Sequence, residues 1–138
     1  MTVKNISFGI LLLFLFGAII GYKIYNKPHV NVAQEKAAIS STAANLLKDF
    51  SSDETIANLK YLGKIIQVKG VISKIETRQG KKSVFLETDA VFGNVLCTLT
   101  LAESAQKREL KVGQKILLKG ICTGFLMDVI LVKCIILK

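Results

Sequence analysis

Apolar residues follow three different spacings along this chain, and each spacing predicts a different element. From Ile6 to Tyr22 the run "ISFGILLLFLFGAIIGY" carries no charge over 17 residues. As a helix it spans roughly 26 Å, the short end of what a bilayer core requires. Lys4 and Lys23 bracket the run and can reach headgroups, while Tyr22 and Tyr25 stand where an interfacial aromatic belt belongs. From Val32 to Phe50 the apolar positions Ile39, Ala43, Leu46, Leu47 and Phe50 recur at i, i+4, i+7, i+8 and i+11, one face of an amphipathic helix. "SSDE" then offers Ser51 as an N-cap with Glu54 as its capping-box partner. This predicts a second helix to about Lys60, with Ile56 and Leu59 docking on the rest of the domain.

After Gly63 the spacing becomes that of strands. Five are predicted: Lys64–Glu76, Ser83–Thr88, Asn94–Leu101, Gln114–Thr123 and Val129–Leu137. "RQGKK" and "GFLMD" supply the first and last hairpin turns, and Ala102 to Leu110 suits a helical turn or two. One phrase occurs twice, "KIIQVKGVIS" from Lys64 and "KILLKGICTG" from Lys115, each placing a glycine midway along a strand. A small barrel closes by bending its long strands at glycines or bulges. Five strands, a long first strand bent at Gly70, a fourth bent at Gly120 and a helical connection after the third describe an OB-fold. The predicted class is therefore mainly β with N-terminal helices. Residues 1–25 form a membrane anchor, 26–31 a linker, 32–62 a helical segment packing on the barrel, and 63–138 the OB-fold domain.

A cleaved signal peptide is the main rival to an anchor, and it needs small residues after the apolar run. "GYKIYNKPHV" follows instead, and no cysteine precedes Cys97 to take a lipid, so an uncleaved signal anchor across residues 6–22 fits better. Lys4 with the amino terminus opposes Lys23 and Lys27, leaving orientation nearly balanced. "GAIIG" places Gly17 and Gly21 as a small-xxx-small pair that could let two helices approach, although glycine is common in membrane helices anyway.

Net charge is +9; 16 of the 19 basic residues and all 10 acidic ones follow Pro28, leaving +6 for that part. The balance would suit an anionic partner, but no basic run exceeds two residues, so a solvated lysine-rich surface is the better account. Catalysis finds little footing. The one histidine, His29, falls in the linker, and no Ser–His–acid set, phosphate loop or Cys-x-x-Cys is present. No cofactor, metal site or catalytic residue is expected. Cys97, Cys122 and Cys134 all fall in strands, as buried thiols or, since the third and fifth strands of an OB-fold are neighbours, with a Cys97–Cys134 disulfide.

OB-folds bind on the face of strands two and three, between the first and last hairpin loops. Here the first loop is basic, with Arg78, Lys81 and Lys82, and the last is apolar, with Phe125, Leu126 and Met127. Alternation places Phe85, Leu96, Thr98 and Thr100 on the outer face. The candidate ligand-binding set is thus Arg78, Lys81, Lys82, Phe85, Leu96, Thr98, Phe125 and Met127.

The stretches "ANLKYLGKIIQVKGVI", "VLCTLT", "LKVGQKILLKGICTGF" and "DVILVKCIIL" resemble the tRNA-anticodon-binding-like (tRNA_anti-like) OB-fold family of small bacterial envelope proteins and lipoproteins. The family pattern of a helical segment ending in Ala…Tyr-x-Gly-Lys matches Ala57, Tyr61, Gly63 and Lys64. The resemblance implies a membrane-tethered, non-enzymatic OB-fold module, with residues 30–138 on the periplasmic side contacting a protein or an envelope polymer. The alternative is a nucleic-acid-binding domain on the cytoplasmic side of the anchor.

Overall fold

The computed structural model describes residues 3–26 and 30–138. It divides into two compact units at the Val30–Asn31 boundary. The first holds a single helix, α1 (Val3–Tyr25). Its stretch Phe8–Tyr25, 18 residues, is long and apolar enough to cross a membrane. Among the described residues, nothing beyond the adjoining residues and the helix's own backbone lies within 4 Å of a Cβ built on Gly17 or Gly21. Lys27, Pro28 and His29, read above as linker, lie outside the described residues.

The second unit carries β1 (Ile39–Thr42), α2 (Ala43–Ser52), α3 (Glu54–Tyr61), β2 (Ile65–Arg78), β3 (Lys81–Leu86), β4 (Val95–Leu99), α4 (Leu101–Ala105), β5 (Lys115–Phe125) and β6 (Val129–Ile136). Strands β2 to β6 close into a five-stranded barrel in the order β2-β3-β4-β6-β5, with β5 returning to β2. Every barrel pairing is antiparallel except β4 with β6. This is the OB topology read from the sequence.

Both repeated glycines sit at bends, for different reasons. At Gly70 strand β2 changes partner: Val71 is the last residue opposite β5 and Ile72 the first opposite β3. A Cβ there would stand 3.1 Å from the Leu86 Cβ and 3.2 Å from the Ala43 Cβ. Gly120 lies where β6 carries an extra residue relative to both its neighbours; Lys133, at φ +52°, is in that bulge. The bulge brings Cys134 onto the α-carbon of Gly120, so a Cβ would meet its Sγ.

The predicted helix from Val32 does not form there. The helix begins at Ala43, and Ile39–Thr42 is an added strand parallel to β2, pairing Ile39 with Ile66 and Thr42 with Lys69. Ser40, Ser41 and Thr42 explain the change, because hydroxyl side chains compete for backbone groups and favour caps over helix interiors. Thr42 is extended and its Oγ1 accepts from the Asn45 amide at 3.2 Å. Upstream, Lys119 Nζ donates to the carbonyls of Ala33 at 3.2 Å and Glu35 at 2.7 Å, fixing the entry segment. The α2 face reads as expected: Ala43, Leu46, Leu47 and Phe50 are buried in the barrel's core.

The second cap also moves. Ser51 lies inside α2, and Asp53 caps α3 by accepting from the Ile56 amide at 3.0 Å. The later start turns a different face inward. Ala57 and Tyr61 are buried, whereas Ile56 and Leu59 are 62% and 78% exposed rather than docked. The Tyr-x-Gly-Lys motif gains a physical account here. The Tyr61 hydroxyl donates to Asp49 Oδ2 at 2.5 Å, Gly63 takes φ +73°, and Lys64 Nζ donates to the Lys60 carbonyl at 2.6 Å, closing the helix end. The Tyr61 hydrogen bond, then that of Lys60, hold the Asp49 carboxyl below its ordinary range. After β4 the helical turn is shorter than predicted and stops at Ala105, because the chain must return for Gly113 to donate to the Ile72 carbonyl at 2.7 Å.

All three cysteines are free and fully buried. Burial, and then the Cys134 thiol beside it, push Cys97 well above the ordinary thiol range; burial raises Cys122. Such thiols are neutral and slow to react. Unreduced protein, denatured and alkylated, should show three modified cysteines by mass spectrometry. A Cys97–Cys134 peptide in protein taken straight from cells would overturn that expectation.

Candidate functional site

The period-two alternation of β3, β4 and β6 sends Val84, Leu86, Val95, Cys97, Leu99, Val129 and Leu131 inward. Their neighbours form the outer face. Register sets Lys74, Phe85, Leu96 and Ile130 side by side across four strands, with Glu76, Ser83 and Thr98 as the next row. Lys74 Nζ stands 5.3 Å from the centre of the Phe85 ring, a cation–π contact, and bonds Glu76 Oε1 at 2.6 Å. That hydrogen bond, with Arg78 behind it at 3.7 Å, holds the Glu76 carboxyl below its ordinary range. The Ser83 and Thr98 hydroxyls are 3.3 Å apart.

Two hairpins bracket this face at opposite ends of its strands. At one end Gln79 and Gly80, both at positive φ, turn β2 into β3 and pair Arg78 with Lys81. The Lys82 amide donates to Ser104 Oγ at 2.9 Å, tying the basic hairpin to α4. At the other end the Asn94 amide donates to Asp128 Oδ1 at 2.8 Å and the Val129 amide to the Asn94 carbonyl at 3.0 Å. These bonds fix a tip where Val91, Phe92, Leu126 and Met127 are each at least 75% exposed.

Of the residues predicted for binding, Phe85, Leu96 and Thr98 share the face, Arg78, Lys81 and Lys82 form its basic end, and Met127 belongs to its apolar end. Phe125 is placed elsewhere: its ring stacks on Phe50 at 5.7 Å, against the core. Thr100 leaves the face to cap α4, accepting from the Glu103 amide at 3.1 Å. Sequence reasoning passed over Lys74, Ile130 and Val132. The alternation of Ile130 and Val132 with buried Val129 and Leu131 carried the signal for the last two. Among the described residues no three His, Cys, Asp or Glu side chains come together as a metal site.

The barrel is similar to a lipoprotein from Klebsiella pneumoniae subsp. pneumoniae MGH 78578, described provisionally as nucleic acid-binding, at 20% identity and TM-score 0.54, covering 72% of this chain and 92% of that one. A provisionally assigned aspartyl-tRNA synthetase from Leishmania major Friedlin is similar at 9% identity and TM-score 0.50, covering 86% of this chain but only 25% of its own. These likenesses speak for the fold. No curated protein matches the chain. The closed barrel, the apolar N-terminal helix and a family match over residues 1–136 together place this chain in the tRNA_anti-like family.

Proposed function

We propose that the chain is a membrane-tethered, non-enzymatic binding module that lies on the periplasmic side and lays an extended segment of a protein or envelope polymer across β3, β4 and β6. The reading rests on one observation above all. A half-buried stripe of Phe85, Leu96 and Ile130 runs on the outer face beside the Ser83–Thr98 hydroxyl pair, between a basic and an apolar hairpin. Such a surface offers apolar contact and hydrogen bonds to a strand-like ligand. Helix α1 supplies the tether.

Nucleic acid is the second reading. The basic hairpin and the description of the similar lipoprotein favour it. Non-specific single-strand binding draws on several stacked bases, and this face offers only Phe85, already occupied on one side by Lys74, with Phe92 at its apolar tip. Two measurements separate the readings. Protease added to intact spheroplasts should digest the barrel while sparing a cytoplasmic control; full protection until lysis would place it on the wrong side for this proposal. Residues 31–138 can be titrated with fluorescent single-stranded DNA and RNA at about 50 and 200 mM salt, a range over which phosphate-driven binding collapses. Only weak, sequence-independent binding at low salt is expected. Micromolar binding, lost on changing Arg78, Lys81 and Lys82 to Ala, would install the nucleic-acid reading instead.

A further inference from the structure

The wall of the barrel opposite the candidate face has chemistry of its own. In the ring order β2-β3-β4-β6-β5, the β2–β5 seam lies two strands from β4 in either direction. On the outside of that seam Leu117 is the centre of a basic cluster. Lys69 is its register partner across β2, Lys115 precedes it by two on the same face of β5, and Lys138 exchanges backbone hydrogen bonds with it from the other side. Lys69, Lys115 and Lys138 line one shallow depression of about 320 Å³ together with Ile116 and Leu117. A second, of about 460 Å³, shares Lys69 and Leu117 and adds the hydroxyls of Ser40, Ser41 and Thr42 with Asn45 and Gln67. Among the described residues none of the three lysines has an ion-pair partner; the paired bases are Lys60, Lys74, Arg78, Arg108 and Lys111.

We propose that this seam is a membrane-docking surface that seats on anionic phospholipid headgroups. Three features select a headgroup layer. The cations are lysines, compact hydrated point charges suited to phosphates in no fixed geometry, rather than the bidentate forks of arginine. The floor between them is the aliphatic Leu117, with no ring on which a base could stack. The tether completes the argument: five residues separate Tyr25 from Asn31, about 20 Å at full stretch, so headgroups stand at high effective concentration. The inference rests on the proposed reading of α1 as a membrane anchor. Docking by this wall turns β3 and β4 away from the bilayer, leaving the candidate face open to its ligand.

The test uses residues 31–138, which contain every residue of the buried core, so that the anchor does not contribute. Vesicles of phosphatidylcholine alone are compared with vesicles containing about a third phosphatidylglycerol, by co-sedimentation at low and moderate salt. Binding should appear only with the anionic lipid and weaken with salt. Lysine near an anionic surface contributes roughly a fivefold affinity gain each, so Lys69, Lys115 and Lys138 changed together to Ala should cost on the order of a hundredfold. The same three changed to Arg should bind like the parent, and Arg78, Lys81 and Lys82 changed to Ala should leave vesicle binding intact. Equal binding to both vesicle types, an unaffected Ala triple, or loss through the hairpin variant would each overturn the proposal. So would tight single-stranded RNA binding that the seam variant abolishes while vesicles remain unbound. Carbonate extraction of the full chain from membranes tests the anchor separately: a retained chain with no vesicle binding by the barrel refutes the docking surface alone.

Discussion

Gly120→Val should remove a large part of the stability of the barrel, about 4 kcal/mol, near the limit for a single change. A typical domain has only about 5–15 kcal/mol in all. The Cβ lands on Cys134 Sγ and 3.1 Å from the Val132 carbonyl oxygen, and neither neighbour can retreat. Cys134 is fully buried, and the Val132 carbonyl belongs to the strand opposite, where β6 is already bulged. Gly70→Val should cost less, since the nearest atoms are side-chain carbons of Leu86 and Ala43. Urea unfolding of residues 31–138 gives the comparison. The contact with sulfur has its own signature: Gly120→Ala should be less harmful in a Cys134→Ala background than alone, a coupling that a double-mutant cycle reads directly. An unchanged urea midpoint for Gly120→Val, or strictly additive Ala changes, would show that the glycine is not where β5 and β6 press together.

Phe50→Ala should cost about 3–5 kcal/mol, the usual range for emptying a buried aromatic site. Phe50 is almost wholly buried, with Tyr61 and Phe125 each at 5.7 Å between ring centres. One side chain thus joins α2, α3 and the last hairpin. Phe50→Leu, which refills much of the volume, should lose far less. If the alanine variant melts with the parent, the helices are an attachment to the barrel and not part of its core. The same logic expects residues 63–138 alone to lack a stable fold, because Leu46, Leu47, Phe50, Ala57 and Tyr61 would be missing from the core.

The five barrel strands were legible in the sequence because their period-two alternation is long and their turns carry glycine. The helix face of Ala43, Leu46, Leu47 and Phe50 was legible for the same kind of reason. Ile39 was not, because its spacing to Ala43 is equally that of a helix; only pairing with Ile66, remote in sequence, makes it a strand. Spacing to Glu54 points to Ser51 as the cap of α3, but α2 runs on through Ser52 and leaves Asp53 to cap α3. On the candidate site, alternation identified Phe85, Leu96 and Thr98, since a strand face follows from residue parity alone. It could not place Phe125, whose ring direction depends on Phe50, some 75 residues away.

The segment that leads into the barrel also has a mechanical meaning. Tension transmitted along the chain from α1 reaches the second unit at Asn31, and it meets the Asn31 turn, buried Val32 and the Lys119 bonds to Ala33 and Glu35 first. Beyond them lie the Ala38-to-Ile65 hydrogen bond at 2.8 Å and the β1–β2 ladder. The Lys119, Ala38 and β1 bonds each end on β2 or β5, but none of them joins two strands of the closed ring. A pull arriving from α1 therefore loads these peripheral bonds before the pairings of β2 to β6 that carry the candidate face.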